Sequence, residues 1–245
     1  MRRGIQQRIG TAGWAIPAQF SASLPSTGSH LERYARHLNA AEINSSFYRY
    51  HRLRTYARWA SSVPPDFRFS VKLPRALSHN GELVPEPATL DRFLDETSGL
   101  GSKLGALLLQ LPPKLVFDAS AVETFLNALR KRTSVPLVCE PRHPSWASAE
   151  ADTLLLRHSV SRVAADPPRW HGGDEPGGAR ELAYFRLHGQ PRIYYSDYDP
   201  EKLAALRQQV ARASDRASEV WVIFDNTALG CALGNALSLD EALRT

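Results

Sequence analysis

Only two cysteines and one methionine occur among the 245 residues. Cys139 lies inside an apolar run and Cys231 in a helix-period stretch, without CxxC spacing, so a disulfide framework is excluded and both read as reduced core thiols. No run approaches the roughly 20 uncharged apolar residues of a membrane span, and the amino terminus, MRRGIQQRIG, has no apolar stretch behind its charges. No membrane partner and a cytoplasmic location are therefore expected. The chain also lacks G-x-x-x-x-G-K-[ST], H-E-x-x-H and G-x-S-x-G, which removes the standard phosphate-loop, zinc-protease and serine-hydrolase signatures.

What is present is a folded-protein composition: 43% hydrophobic, 22% charged, with five tryptophans. The net charge of +5 is carried almost entirely by arginine. Its basic residues are scattered rather than run together, so genomic base composition explains the excess more simply than an anionic partner does.

Short apolar runs recur, each followed by a break and then a stretch of helical period. They are RIGTAGW (8–14), AAEINSSFY (40–48), FRFSVKLP (67–74), GALLLQLP (105–112), PLVCEPRH (136–143), SRVAADP (161–167), LAYFRLHG (182–189) and EVWVIFDN (219–226). Amphipathic segments begin between them at Ser29, Thr55, Thr89, Ala119 and Pro200, and ALGNALSLDEAL follows the last run. Eight strands spaced by helices over this length predict one TM-free α/β domain across 1–245, a TIM (β/α)8 barrel. An open doubly wound sheet fits less well, because it usually has fewer strands. The stretch PPRWHGGDEPGGA, ending just before Arg180, cannot be helical, so the sixth helix is expected to be replaced or shortened by this Pro/Gly-rich loop, which could act as a lid.

In such a barrel the chemistry sits at the carboxyl ends of the strands. Every run here finishes on a polar side chain: Thr11 and Trp14; Glu42, Asn44 and Ser45; Lys72; Gln110; Glu140, Arg142 and His143; Asp166; Arg186 and His188; Asp225 and Asn226. The two-residue period of a strand puts Glu42 with Asn44, Glu140 with Arg142, and Arg186 with His188 on shared faces. A structural alternative accompanies each. Glu140 with Arg142, or Glu42 with Arg186, could be buried pairs that only neutralise one another, and Lys72 could partner Asp166 or Glu42. His143 could be a loop histidine and His188 a core one. Convergence of all eight strand ends on one rim favours a ligand site.

His79, Glu140, His143, Asp166 and His188 could in principle gather a divalent metal. Arg142, Arg186 and Lys72 would crowd positive charge around it, so no cofactor is expected and an anion suits the rim better. The loops HGQPRIYYS and DNTALGCALG after the last two strands offer Gly189, Arg192, Asn226, Thr227 and Gly230 to a phosphate, although Asn226 or Thr227 would serve equally as a helix cap.

The blocks IGTAGW, AEINSSFYR, FRFSVKLPR with LSH, KLGALLLQLPP, CEPRHPSW, VAADP, YFRLHG and FDNTALGCALGNA, taken in order, resemble the YecE-like family, the domain of unknown function numbered 72. The likeness runs from about Ile9 to about Leu237. It implies a TIM-barrel fold without a settled activity. It also implies emphasis on Glu42, Asn44, Ser45, Tyr48, Lys72, His79, Gln110, Glu140, Arg142, His143, Trp146, Asp166, Arg186, His188, Asn226 and Asn235. Two departures are AIPAQF after Trp14, where the family is more aromatic, and FDN for a more usual FNN, which adds Asp225 to the rim.

The functional expectation is an enzyme acting on a small anionic or phosphorylated substrate. Reacting roles fall to Glu42, Lys72, Glu140, His143, Asp166 and His188. Binding roles fall to Trp14, Asn44, Ser45, Tyr48, His79, Gln110, Arg142, Trp146, Arg186, Arg192, Asp225 and Asn226. An alternative is a nucleic-acid-processing protein, in which Trp14, Trp146, Arg169, Trp170, Arg192, Tyr194, Tyr195 and Tyr198 would stack on bases and bind phosphates. A non-catalytic metabolite-binding module is a third. Substrate, reaction and oligomeric state are left open by the sequence.

Overall fold

The computed structural model describes residues 5–22 and 24–244. Its strands are β1 (Gln6–Ala12), β2 (Ala40–Ile43), β3 (Arg68–Lys72), β4 (Leu104–Gln110), β5 (Leu137–Glu140), β6 (Val160–Arg162), β7 (Ala164–Asp166), β8 (Gly177–Gly178), β9 (Leu182–Leu187) and β10 (Glu219–Phe224). The helices are α1 (His30–Tyr34), α2 (Leu53–Ser61), α3 (Arg75–Ser78), α4 (Pro87–Thr97), α5 (Ala119–Arg130), α6 (Ala149–Arg157), α7 (Pro200–Ser214) and α8 (Cys231–Arg244). The helix starts have local causes. Ser29 and Glu32 form a reciprocal capping box, and the side chains of Asp118, Ser148 and Asp199 each accept a backbone N–H in the first turn.

The strands follow one another around a nearly closed, parallel, TIM-barrel-like sheet. What the sequence presents as one sixth strand is two short ones. β6 pairs with β5, and β7, across the single residue Val163, pairs with β9. Splitting the strand lets its first half satisfy one neighbour and its second half the other, so the split strand carries the ladder around the barrel. Between β7 and β9 there is no helix among the described residues. The loop instead returns to place β8 antiparallel on β6. A cleft of about 750 Å³ lies against that helix-free side, walled by parts of α6 and α7.

Most apolar side chains fill the layer between strands and helices, while a smaller set, including Ala40, Leu108, Val138, Tyr184, Trp221 and Ile223, fills the barrel interior. Trp221 decides one strand position. A Cβ on Gly105 would stand 2.6 Å from the indole, so only glycine lets β4 pass. Inward positions recur every second residue, and on five strands the interior column begins apolar or small and ends polar: Ala40 then Glu42, Ser70 then Lys72, Leu108 then Gln110, Val138 then Glu140, Ile223 then Asp225. The packed bottom of the barrel therefore hands over to a polar top.

Candidate functional site

Arg186 stands at the centre of that top, with no exposed surface. Its Nε and Nη2 donate to Glu42 Oε2 and Oε1 at 3.0 and 2.7 Å, Nη1 to Glu140 Oε2 at 2.5 Å, and Nη2 also to Asp225 Oδ2 at 2.9 Å. Three carboxylates thus enclose one guanidinium. Arg142 adds a second cation, donating from Nε to Glu140 Oε1 at 2.9 Å. Tyr184, two residues before Arg186 and on its face, donates to Glu42 Oε2 at 3.1 Å and shares a 2.6 Å hydrogen bond with Ser70.

Burial alone would raise the Glu140 carboxyl, but the guanidinium groups of Arg142 and Arg186 hold it well below the usual carboxylate range. Asp225 is likewise held down by Arg186 and by its hydrogen bond to His188, against burial. For Arg186 burial opposes the charge, and the surrounding carboxylates overcome it and push the guanidinium well above its ordinary value.

His188 lies between two of these acids, Nδ1 at 3.1 Å from Asp225 Oδ2 and Nε2 at 3.0 Å from Glu140 Oε1. Both ring nitrogens are engaged, so Glu140, His188 and Asp225 form one hydrogen-bonded chain. Tyr194 covers it, with its ring edge-on to His188 at 5.7 Å and its hydroxyl 3.4 Å from Arg142 Nη1. Tyr194 holds a left-handed φ of 72°, a conformation uncommon for a side chain of this size.

Lys72 differs from both arginines. The residue is 6% exposed, yet Nζ makes no hydrogen bond or ion pair within the described residues and sits 4.2 Å from the centroid of the Phe47 ring. The sealed side-chain atoms without a partner there are Asn44 Oδ1, Ser214 Oγ, Trp221 Nε1 and Asn226 Oδ1. Lys72 Nζ is not among them, so the amine keeps a face open to the mouth. Burial, then the Arg186 charge, pushes it down to about 8 despite the nearby carboxylates. Gln110 also makes no side-chain hydrogen bond among the described residues, although it is 6% exposed. His79, which packs edge-on to Phe47 at 4.9 Å and bonds Ser78 Oγ at 2.9 Å, is pushed down to about 4 by burial and by Lys72.

The expected residues therefore divide. Glu42, Glu140, Arg142, Arg186, His188 and Asp225 meet in one network, and Lys72 stands beside it. The buried pairs Glu42–Arg186 and Glu140–Arg142 both form, whereas Lys72 takes neither Asp166 nor Glu42 as a partner. Asp166 is drawn off by Gln190 and by the Tyr198 hydroxyl, both in short contacts. His143 caps the turn Pro144–Trp146, its Nδ1 accepting the Ser145 backbone N–H at 3.2 Å and lying 2.8 Å from Ser145 Oγ. Trp146 is a core residue, 1% exposed, its Nε1 donating to Leu115 O and its ring against Phe117. Neither it nor the buried Tyr198 can stack on a base, which removes two aromatics from the nucleic-acid reading.

Trp14 packs edge-on to Trp59 and Phe69, Ser45 bonds His51, and Tyr48 is exposed. Exposed Arg192 stacks on Tyr195, and the Asn226 amide is spent on Ser196 O and Asn235 Oδ1. The two loops expected to bind phosphate thus clasp each other. The expected positive excess is also absent, since Lys72, Arg142 and Arg186 face Glu42, Glu140 and Asp225 one for one. Among the described residues, no group of three or more His, Cys, Asp or Glu is disposed to hold a metal. None of the helices described is long and apolar enough to cross a membrane.

Tyr184 and Ser70 were not expected at the site, although the two-residue period that links them to Arg186 and Lys72 could have pointed to them.

A parallel α/β barrel with an ionic network and one untied amine at the carboxyl ends of its strands is the class that fold and site define. The chain belongs to the family described as "Protein of unknown function DUF72", whose model matches residues 8–245. It is 31% identical over 164 residues to the UPF0759 protein YecE of Escherichia coli K12, an alignment covering 64% of this chain and 58% of that protein. To the UPF0759 protein YunF of Bacillus subtilis it is 22% identical, over 96% of this chain and 94% of the relative. The fold superposes on a crystal structure of a DUF72 family protein from Thermotoga maritima with a TM-score of 0.82 at 25% identity, covering 98% of this chain and 100% of that one. A DUF72 protein from Enterococcus faecalis gives a TM-score of 0.82 at 23% identity, over 98% and 96% of the two chains.

Proposed function

We propose that the protein is an enzyme acting on a small anionic substrate held at the mouth of the barrel. The observation that carries this reading is Lys72: a largely buried ammonium that makes no ion pair or hydrogen bond among the described residues, beside arginines that are already tied. A buried ammonium without a hydrogen-bond acceptor is costly, and a ligand anion would supply that acceptor. Lys72 with the outer edge of Arg142 would hold the anion, and Gln110 would orient the rest of the molecule. The chain Glu140–His188–Asp225 would move the proton. Arg186 is the frame that positions these acids rather than a contact to substrate.

The test is thermal unfolding of the wild type and Lys72→Met against inorganic phosphate, phosphorylated sugars and small carboxylates. Stabilisation of the wild type by about 2–3 kcal/mol is expected at a hundredfold excess over Kd, with none in the variant. Absence of stabilisation by every anion, or equal stabilisation of both proteins, removes the reading.

A further inference from the structure

We infer that Lys72 is a nucleophilic amine that forms an imine with an aldehyde or ketone carbon of the bound ligand. This rests on the reading that the mouth accepts a small anion, and it adds the chemical class of the reacting group. The argument begins with what Lys72 does not do. A lysine kept only to balance the three acids around Arg186 would reach one of them, as Arg142 reaches Glu140 at 2.9 Å. Lys72 instead rests on the Phe47 ring, with Nζ free of hydrogen bonds among the described residues and open to the mouth.

The other four lysines are placed differently. Lys103 donates to Pro64 O, and Lys114, Lys131 and Lys202 lie exposed at the surface. Only Lys72 combines burial, an apolar wall and nearby fixed cations, the three conditions that leave an amine unprotonated and nucleophilic. With the ammonium pushed down to about 8, roughly a quarter of it is free amine near pH 7.5, about two hundred times the fraction of an ordinary lysine.

The chemistry balances without an oxidant or a reductant. The Nζ lone pair attacks the carbonyl carbon, the C–N bond forms as the C=O π bond opens, and the oxygen takes a proton. The carbinolamine then loses water as its C–O bond breaks, leaving C=N and one water for each carbonyl consumed. The protons released by Nζ and needed by the departing hydroxyl have carriers in the same ring, where His188 touches both Glu140 and Asp225.

Pyridoxal 5′-phosphate is a suitable probe, because it carries an aldehyde and a phosphate in one small molecule. The full folded chain is incubated with it near pH 7.5, reduced with borohydride, and the modified lysines are located by peptide mass. The expected result is a Lys72 adduct formed at least about tenfold faster than adducts at Lys114, Lys131 and Lys202, with inorganic phosphate slowing Lys72 alone. Lys72→Arg keeps the charge and removes the amine. It should lose the site adduct, leave the surface lysines labelled as before, and still be stabilised by phosphate.

Labelling of Lys72 no faster than of the surface lysines, in protein shown to be folded by its melt, overturns the imine. If phosphate nonetheless stabilises the wild type and Lys72→Arg alike, the anion reading survives without it. Selective labelling that phosphate neither slows nor accompanies with stabilisation upholds the amine chemistry and removes the anion reading instead.

Discussion

The mouth of the barrel has two sectors with the same kinds of residue and opposite bonding. In the sector of Arg186, Glu42, Glu140, Asp225, His188 and Arg142 every charged group has a partner within 3.1 Å. In the sector of Lys72 and Gln110, the Lys72 amine and the Gln110 amide have none among the described residues. A fully satisfied network in low dielectric is rigid and expensive to disturb. An unsatisfied one is expensive to keep, which is the usual mark of a place reserved for something else. The first sector reads as frame and the second as receptor.

Breaking the frame should have the largest effect. Arg186→Met leaves Glu42, Glu140 and Asp225 facing one another without their shared cation, and should cost about 3–5 kcal/mol in urea unfolding. A loss under about 1 kcal/mol would show that the network does not hold the barrel top together.

The receptor sector should respond with the opposite sign. Folding holds the Lys72 ammonium at about 8, below its unfolded value of 10.5, so the charged lysine penalises the fold at neutral pH. Lys72→Met should therefore raise stability by about 2 kcal/mol near pH 7 while abolishing anion binding. The sign of the pH dependence follows. Between about 8 and 10.5 the unfolded chain binds the extra proton, so the wild type gains on the variant as pH rises through that window. Parallel stability curves for the two proteins from pH 7 to 10.5 would count against a depressed lysine.

The smallest effect is expected at Gln110. With no bond to lose among the described residues, Gln110→Ala should stay within about 0.5 kcal/mol of wild type in urea, yet weaken anion stabilisation of the folded protein. A large stability loss with unchanged binding would move Gln110 into the frame.

Much of this arrangement was legible in the chain. The alternation that runs Val138, Glu140 along one face and Tyr184, Arg186, His188 along another announces both the barrel strands and the end at which their polar residues gather. The helix-free loop was announced by its glycines and prolines. Other features were not legible. Trp146 and Tyr194 look alike as aromatics in loops after a strand, but one fills the core against Phe117 and the other covers His188. Asp166 ends its run as Glu140 does, yet the split at Val163 turns it toward Tyr198 and Gln190.

The sequence by itself determined a parallel α/β barrel, its polar rim and most members of that rim, because strand periodicity and turn chemistry act over a few residues. Which cation is tied and which is free was decided only in three dimensions. Arg186 and Lys72 both end their strands among acids. Partners come from strands far apart in sequence, such as Glu42 for Arg186, 144 residues away, and are set by how the barrel closes. Closure spends Arg186 on the frame and leaves Lys72 the open amine of the ring.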